Sequence, residues 1–168
     1  ETDIEEARRT AVGEVCDMAR VKGWTIQLGI PSTAVVALVD RRRRVRIVRK
    51  LMANAIDFAQ GNPVDVTISA TVRVVVISVR DHGTGMTQRQ VTHVFDRFWR
   101  GDPSRSRTTG GTGLGMSIAL ADARLHHGDI HVRSQEGVGT WFLVLLPRDP
   151  SYAPISPDDV PLDFCEGS

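Results

Sequence analysis

Three short segments of this chain carry residue types that could do chemistry together: Asp81-His82-Gly83-Thr84-Gly85, then Phe95-Asp96-Arg97-Phe98-Trp99-Arg100, then Gly110-Gly111-Thr112-Gly113-Leu114-Gly115. A carboxylate beside a tight glycine turn can accept an exocyclic amine, and Gly83 and Gly85, lacking a β-carbon, let a flat base approach the backbone. Alternating glycines at a helix entrance leave its first amides bare at the positive end of the helix dipole, which suits a polyphosphate. The arginines between them, Arg97, Arg100, Arg105 and Arg107, either reach phosphate oxygens or stand as solvated surface charge. A purine amine at one end and a triphosphate at the other point to ATP. The second glycine segment is not a dinucleotide fingerprint, because polar loop rather than strand precedes it and its spacing is Gly-x-Gly-x-Gly. It also lacks the lysine of a Walker loop.

The elements that must position these residues follow from periodicity. Ile4, Ala7, Ala11, Val15, Met18 and Ala19 recur at helical spacing until Gly23 breaks the pattern. Residues 24–28 and 34–39 read as strands. The stretch Arg41 to Ala59 opens on four arginines and places Val45, Val48, Leu51, Met52, Ala55 and Ile56 on one stripe, a helix ending before Gly61-Asn62-Pro63. Val64 to Ala70 and Val72 to Val79 are β-branched strands, the second delivering Asp81 at its end. Helix resumes over Thr87 to Phe95, and Asp102 to Thr112, aperiodic and polar, reads as a mobile loop. Leu114 to His127 is a helix that Gly128 terminates, and Asp129 to Ser134 with Thr140 to Leu146 form a closing hairpin. The expected architecture is a two-layer α/β sandwich, with a mixed, mostly antiparallel sheet of about five strands backed by three helices. Residues 1–147 form this domain, and residues 148–168, rich in proline and acids, form a flexible tail.

Composition narrows the function classes. With 168 residues, 41% of them hydrophobic and 24% charged, the chain suffices for one domain with a real core. A formal net charge of only +1 gives no electrostatic case for nucleic acid or an anionic membrane surface. Cys16 and Cys165 match neither a metal spacing nor a disulfide framework. No apolar run reaches the roughly 18 residues that a bilayer span needs. The chain opens on Glu1 rather than methionine, as a piece of something longer would. None of its five histidines stands in the His-Glu context of a phosphoacceptor helix, and His126-His127 suit a helix C-terminus.

The order helix, strands, long helix, strands, Asp-x-Gly-x-Gly, loop and Gly-x-Gly-x-Gly helix resembles the ATP-binding domain shared by sensor histidine kinases, gyrase and the Hsp90 chaperones. Within that superfamily it most resembles histidine kinases, in particular the MtrB type of actinobacteria. The resemblance spans about residues 1–147 and implies ATP and Mg2+ as cofactors. Asp81 would receive the adenine amine. Gly83, Gly85, Met86, Arg97, Phe98, Arg100, Gly111, Thr112, Gly113, Leu114, Gly115 and Thr140 would complete the nucleotide pocket, with Phe95 and Phe98 anchoring the loop. On the long helix Asn54 matches the asparagine that helps hold magnesium, the catalytic and metal position.

Two positions depart from the family pattern. Lys50, one turn before Asn54, stands where histidine kinases usually carry a second asparagine and gyrase-type ATPases carry the glutamate that activates water. It either reaches the phosphates, opposing magnesium, or snorkels to solvent. Asp57 stands where a basic phosphate-binding residue is usual, although related kinases tolerate an acid there. The implied function is γ-phosphate transfer to a histidine on an upstream dimerisation domain, with a response regulator as partner. The whole protein would then be a membrane-anchored homodimer whose catalytic domain, monomeric by itself, lies in the cytoplasm. A degenerate nucleotide-binding signalling module and an anti-sigma-type serine kinase are the alternatives.

Overall fold

The structure, a computed structural model, describes residues 28–29, 46–47, 49–55, 62–99, 115–156 and 158. The expected first helix, the strand at 34–39 and the loop at 102–112 lie outside them. The described strands are β1 (Leu28–Gly29), β2 (Val64–Ala70), β3 (Val74–Asp81), β4 (Asp129–Gln135) and β5 (Gly139–Pro147). They form one sheet in the order β1-β2-β3-β5-β4. β1 pairs with β2 in parallel, and every other neighbouring pair is antiparallel. The helices are α1 (helical at 46–47 and 49–55), α2 (Gln88–His93) and α3 (Gly115–Leu125).

Local chemistry accounts for the junctions. Between β2 and β3 the Thr71 hydroxyl accepts the backbone N–H of Arg73 at 3.2 Å and of Val74 at 3.1 Å, closing a side-chain-assisted turn. Thr87 caps α2 reciprocally: its Oγ1 accepts the Gln90 N–H at 3.2 Å, and its own N–H donates to Gln90 Oε1 at 2.8 Å. α3 stops because His127 adopts a left-handed φ of 58°. The Gly128 N–H then reaches back to the Ala123 carbonyl at 2.9 Å. The histidine, rather than the expected glycine, thus takes the left-handed position.

Strand alternation sorts the sheet into two faces. Val64, Val66, Val75, Ile77, Val79, Ile130, Phe142, Val144 and Leu146 join the main core with α1 and α3. On α1 the buried stripe is Ile47, Leu51, Met52 and Ala55, all 0% exposed. Ile47 therefore belongs to the core, although the sequence pattern had left it off the stripe. The opposite face carries a smaller cluster, Val74, Val76 and Leu145, with Leu143 and Ile155 packed against it. The chain beyond β5 thus stays with the sheet for some residues: Pro150–Tyr152 form a 3-10 turn, and Arg73 donates to the Tyr152 carbonyl at 3.2 Å.

Candidate functional site

Three inward-facing rows of apolar residues end in polar ones at the same edge of the sheet. Val75-Ile77-Val79 leads to Asp81, Ile130-Val132 leads to Ser134, and Leu146-Val144-Phe142, read backwards, leads to Thr140. Ser134 and Thr140 are cross-strand partners, and the β3 to β5 register brings Arg80 opposite Trp141, leaving Asp81 level with Thr140. Alternation thus gathers a carboxylate and two hydroxyls on the helix side of the sheet, with Asp81 and Thr140 buried and Ser134 partly so.

Asp81 is 1% exposed. Its Oδ1 accepts the backbone N–H of Gly83 at 3.0 Å and of Thr140 at 3.2 Å. Its Oδ2 is buried with no hydrogen-bond partner among the described residues. A buried carboxylate oxygen left without a donor is costly, and a ligand N–H placed on it would relieve that cost. Burial pushes the carboxyl pKa above the ordinary aspartate value; the two backbone N–H bonds and the neighbouring His82 pull it down without cancelling that rise. His82 Nε2 is itself 2.7 Å from Asp65 Oδ2.

Two glycines let the loop after β3 and the β4–β5 hairpin touch through backbone alone. Gly85 has φ 69°, and a β-carbon there would lie 2.0 Å from the Gln135 carbonyl oxygen. Gly139 has φ 133°, and a β-carbon there would lie 2.1 Å from the Asp81 carbonyl oxygen. No L side chain fits either place. Met86, 2% exposed, closes the loop onto the core. Its N–H donates to Ser134 Oγ at 2.7 Å. Ser134 was not anticipated from the sequence; the signal that could have found it is a serine continuing an inward-facing apolar row.

The second part of the site lies on α1 and the start of α3. Lys50 and Asn54, one turn apart, flank the buried stripe and are both half-buried. Asn54 Nδ2 is buried without a hydrogen-bond partner among the described residues. The Lys50 stem runs to the N-terminus of α3: its Cδ lies 3.7 Å from where a β-carbon on Gly115 would be. An ammonium-bearing chain thus approaches the first described turn of α3. The two helices are tied by Arg46, whose Nε donates to Asp122 Oδ2 at 2.6 Å and Nη2 to Oδ1 at 2.5 Å. Asp122, whose side chain is 5% exposed, was also missed. Its sequence signal is an acid beside the buried Ala119 and Ala123 of an apolar helix face.

After α2, Phe95 and Trp99 pack against the core, and the Trp99 ring stacks on His93 with centroids 6.5 Å apart. Phe98 does not anchor the loop as expected: it is 71% exposed, with a left-handed φ of 61°. The turn that follows α2 aims it outward, and Trp99 takes the anchoring place. Arg97 is exposed. Asp57, Arg100, Gly111, Thr112, Gly113 and Leu114 lie outside the described residues. No helix among the described residues is long and apolar enough to cross a membrane.

A family model described as histidine kinase-, DNA gyrase B-, and HSP90-like ATPase matches residues 39–150. The chain is 43% identical over 145 residues to the sensor histidine kinase MtrB of Mycolicibacterium paratuberculosis, which covers 86% of this chain and 26% of that protein. It is 39% identical over 135 residues to the sensor histidine kinase RppB of a Synechocystis species, covering 80% of this chain and 30% of that protein. The chain thus spans about a quarter of the length of the first of these curated relatives. In fold it is similar to the nucleotide-free catalytic domain of the histidine kinase ThkA, with TM-score 0.71 at 21% identity, covering 88% of this chain and 94% of that one. It is also similar to full-length ShkA in complex with AMPPNP, with TM-score 0.68 at 27% identity, covering 86% of this chain and 30% of that one.

Proposed function

This chain belongs to the histidine kinase-, DNA gyrase B-, and HSP90-like ATPase family, and on that premise we propose that it is the ATP-binding catalytic domain of a two-component sensor histidine kinase. It donates the γ-phosphate of ATP to a histidine on an upstream dimerisation domain, from which a response regulator receives it. The full-length protein is a membrane-anchored homodimer with this domain on the cytoplasmic side. The observation that carries the nucleotide assignment is the buried, unpartnered Oδ2 of Asp81. It is held in place by two backbone N–H bonds on Oδ1 and suits the amine of adenine better than the carbonyl that guanine presents there.

The work of the remaining residues is positioning and charge neutralisation, because the acceptor imidazole nitrogen is already nucleophilic. The amides of Gly111, Gly113 and Gly115 at the entrance of α3 cradle the triphosphate, with Thr112 and Leu114 completing that box. Arg97, exposed on the segment that Phe95 and Trp99 pin to the core, is available to the γ-phosphate, and Asp57, Phe98 and Arg100 stay in the proposed nucleotide site on the family resemblance. The Asn54 amide would suit a magnesium ion, since its orphaned end can present a hard carbonyl oxygen when the amide is turned. An ion held by Asn54 would supply neutralisation of phosphate charge. Lys50 at the place of the water-activating glutamate argues against gyrase-like hydrolysis. The sensor-kinase relatives weigh against a degenerate module and against an anti-sigma-type serine kinase.

The test is transfer in trans. The chain is titrated with ATP by calorimetry, then incubated with labelled ATP and the histidine-bearing dimerisation domain of its own full-length protein. ATP binding followed by an acid-labile, base-stable phosphohistidine is expected. Binding without any transfer removes the kinase assignment, and label on serine instead supports the serine-kinase alternative.

A further inference from the structure

Ser134 forms every hydrogen bond that its hydroxyl can form. Its Oγ accepts the Met86 N–H at 2.7 Å and lies 2.9 Å from the Gly139 carbonyl oxygen and 2.8 Å from Thr140 Oγ1. A hydroxyl has one proton and two lone pairs. The amide of Met86 can only donate, and the carbonyl of Gly139 can only accept, so the Ser134 proton goes to Gly139. The remaining contact closes only if Thr140 donates to Ser134. The proton of Thr140 is thereby committed, and its oxygen has only lone pairs left. Thr140 also gives its backbone N–H to Asp81 Oδ1 at 3.2 Å, which seats this residue directly beside the carboxylate whose Oδ2 is bare.

From this arrangement we infer that Ser134 is a positioning residue for base selectivity: it locks the Thr140 hydroxyl so that the floor of the pocket beside Asp81 consists of acceptors alone. The inference rests on the nucleotide reading above and deepens it. A purine with an amine at C6 brings donors to that floor. A purine with a carbonyl at C6 brings lone pairs to lone pairs, and the hydroxyl cannot turn to answer it while Ser134 holds its proton. Selectivity would then come from three polar groups on three strands rather than from the carboxylate alone.

ATP and ITP, which differ by amine against carbonyl at C6 and by a lone pair against N–H at N1, separate this role from simple structural support, since in this reading the C6 group is the one that meets the Thr140 oxygen. Both are titrated against the wild-type chain, Ser134→Ala, Ser134→Thr and Thr140→Val, with folding checked by circular dichroism. The wild type should prefer ATP. Ser134→Ala frees the Thr140 proton, so the ATP-to-ITP affinity ratio should fall about tenfold, the worth of one hydrogen bond of ordinary strength. Ser134→Thr, which keeps a hydroxyl, should restore the ratio. Should Ser134→Ala fail to fold, Thr140→Val, which leaves the bonds of Ser134 to Met86 and Gly139 in place, must lower the ratio in the same direction. A ratio equal to wild type in a folded Ser134→Ala or Thr140→Val variant overturns the inference, even if both affinities drop together. A wild type that binds neither nucleotide overturns the nucleotide reading along with it.

Discussion

Burial disfavours the charged form of the Asp81 carboxyl, and that sets its proposed function against stability at this residue. Its pKa is raised by burial, so the folded chain takes up this proton more readily than the unfolded chain does. The charged carboxylate therefore opposes folding above the raised pKa, and that penalty fades as pH falls through it. In Asp81→Asn it is absent at every pH. The variant should weaken ATP binding by about 1.5 to 3 kcal/mol, the range for a charged hydrogen bond, without losing thermal stability at neutral pH. Calorimetry and melting curves measure the two effects. An unchanged ATP affinity in a folded variant excludes Asp81 as the amine acceptor. Lys50 makes a second residue-scale prediction, motivated by its stem lying at Gly115. If the ammonium meets the phosphates, it competes with magnesium for the same oxygens. Lys50→Asn should then increase the magnesium dependence of ATP binding and raise transfer once the histidine domain is supplied. Equal ratios of affinity with and without magnesium in both proteins would place the ammonium in solvent.

At the scale of elements, the Arg46 to Asp122 pair joins α1 and α3. The partners are unequally exposed, with side chains 51% and 5% accessible, so cutting the pair from either side should not cost the same. Arg46→Met leaves a buried carboxylate facing no guanidinium, whereas Asp122→Asn leaves an arginine that water can solvate. Chemical denaturation should show Arg46→Met as the more destabilising, by about 2 to 3 kcal/mol against about 1 for Asp122→Asn. The reverse order would mean that the pair holds the helices by geometry rather than by shielding the acid. The elements themselves were legible because β-branched runs and helical stripes are local patterns. The extents of β3 and β5 were not. β3 runs on through Asp81, and β5 reaches from Gly139 to Pro147, because their pairing partners extend them beyond what composition marks.

At the scale of the whole molecule, the polar loop expected over residues 102–112, which in sequence joins the segment after α2 to α3, is a candidate lid. Its polar composition and its arginines predict that a bound triphosphate orders it. Hydrogen exchange with and without a non-hydrolysable ATP analogue should show protection gained across this segment and little change in β2, β3 and β5. Equal exchange in both states would count against a closing lid. The sheet, by contrast, should exchange slowly throughout, since both of its faces are covered at β3 and β5: by the main core on one side and by the cluster with Ile155 on the other.

The sequence by itself marked the residues proposed for each end of the ligand. Asp81 with its glycines, the glycine-rich helix entrance and the asparagine on a helix stripe are patterns within a few residues, set by backbone conformation and periodicity. The local Gly83 amide already takes Oδ1 of Asp81, but the second amide on that oxygen, and the burial that leaves Oδ2 bare, came only with tertiary structure, because that amide belongs to Thr140, 59 residues onward. Asp122 found its partner 76 residues away. Ser134 gained its role from strand register, which sets one hydroxyl between the Met86 amide and the Gly139 carbonyl. Local sequence encodes which face a residue takes, but its polar partner depends on where distant strands come into register, and that is settled by the packing of the whole sheet.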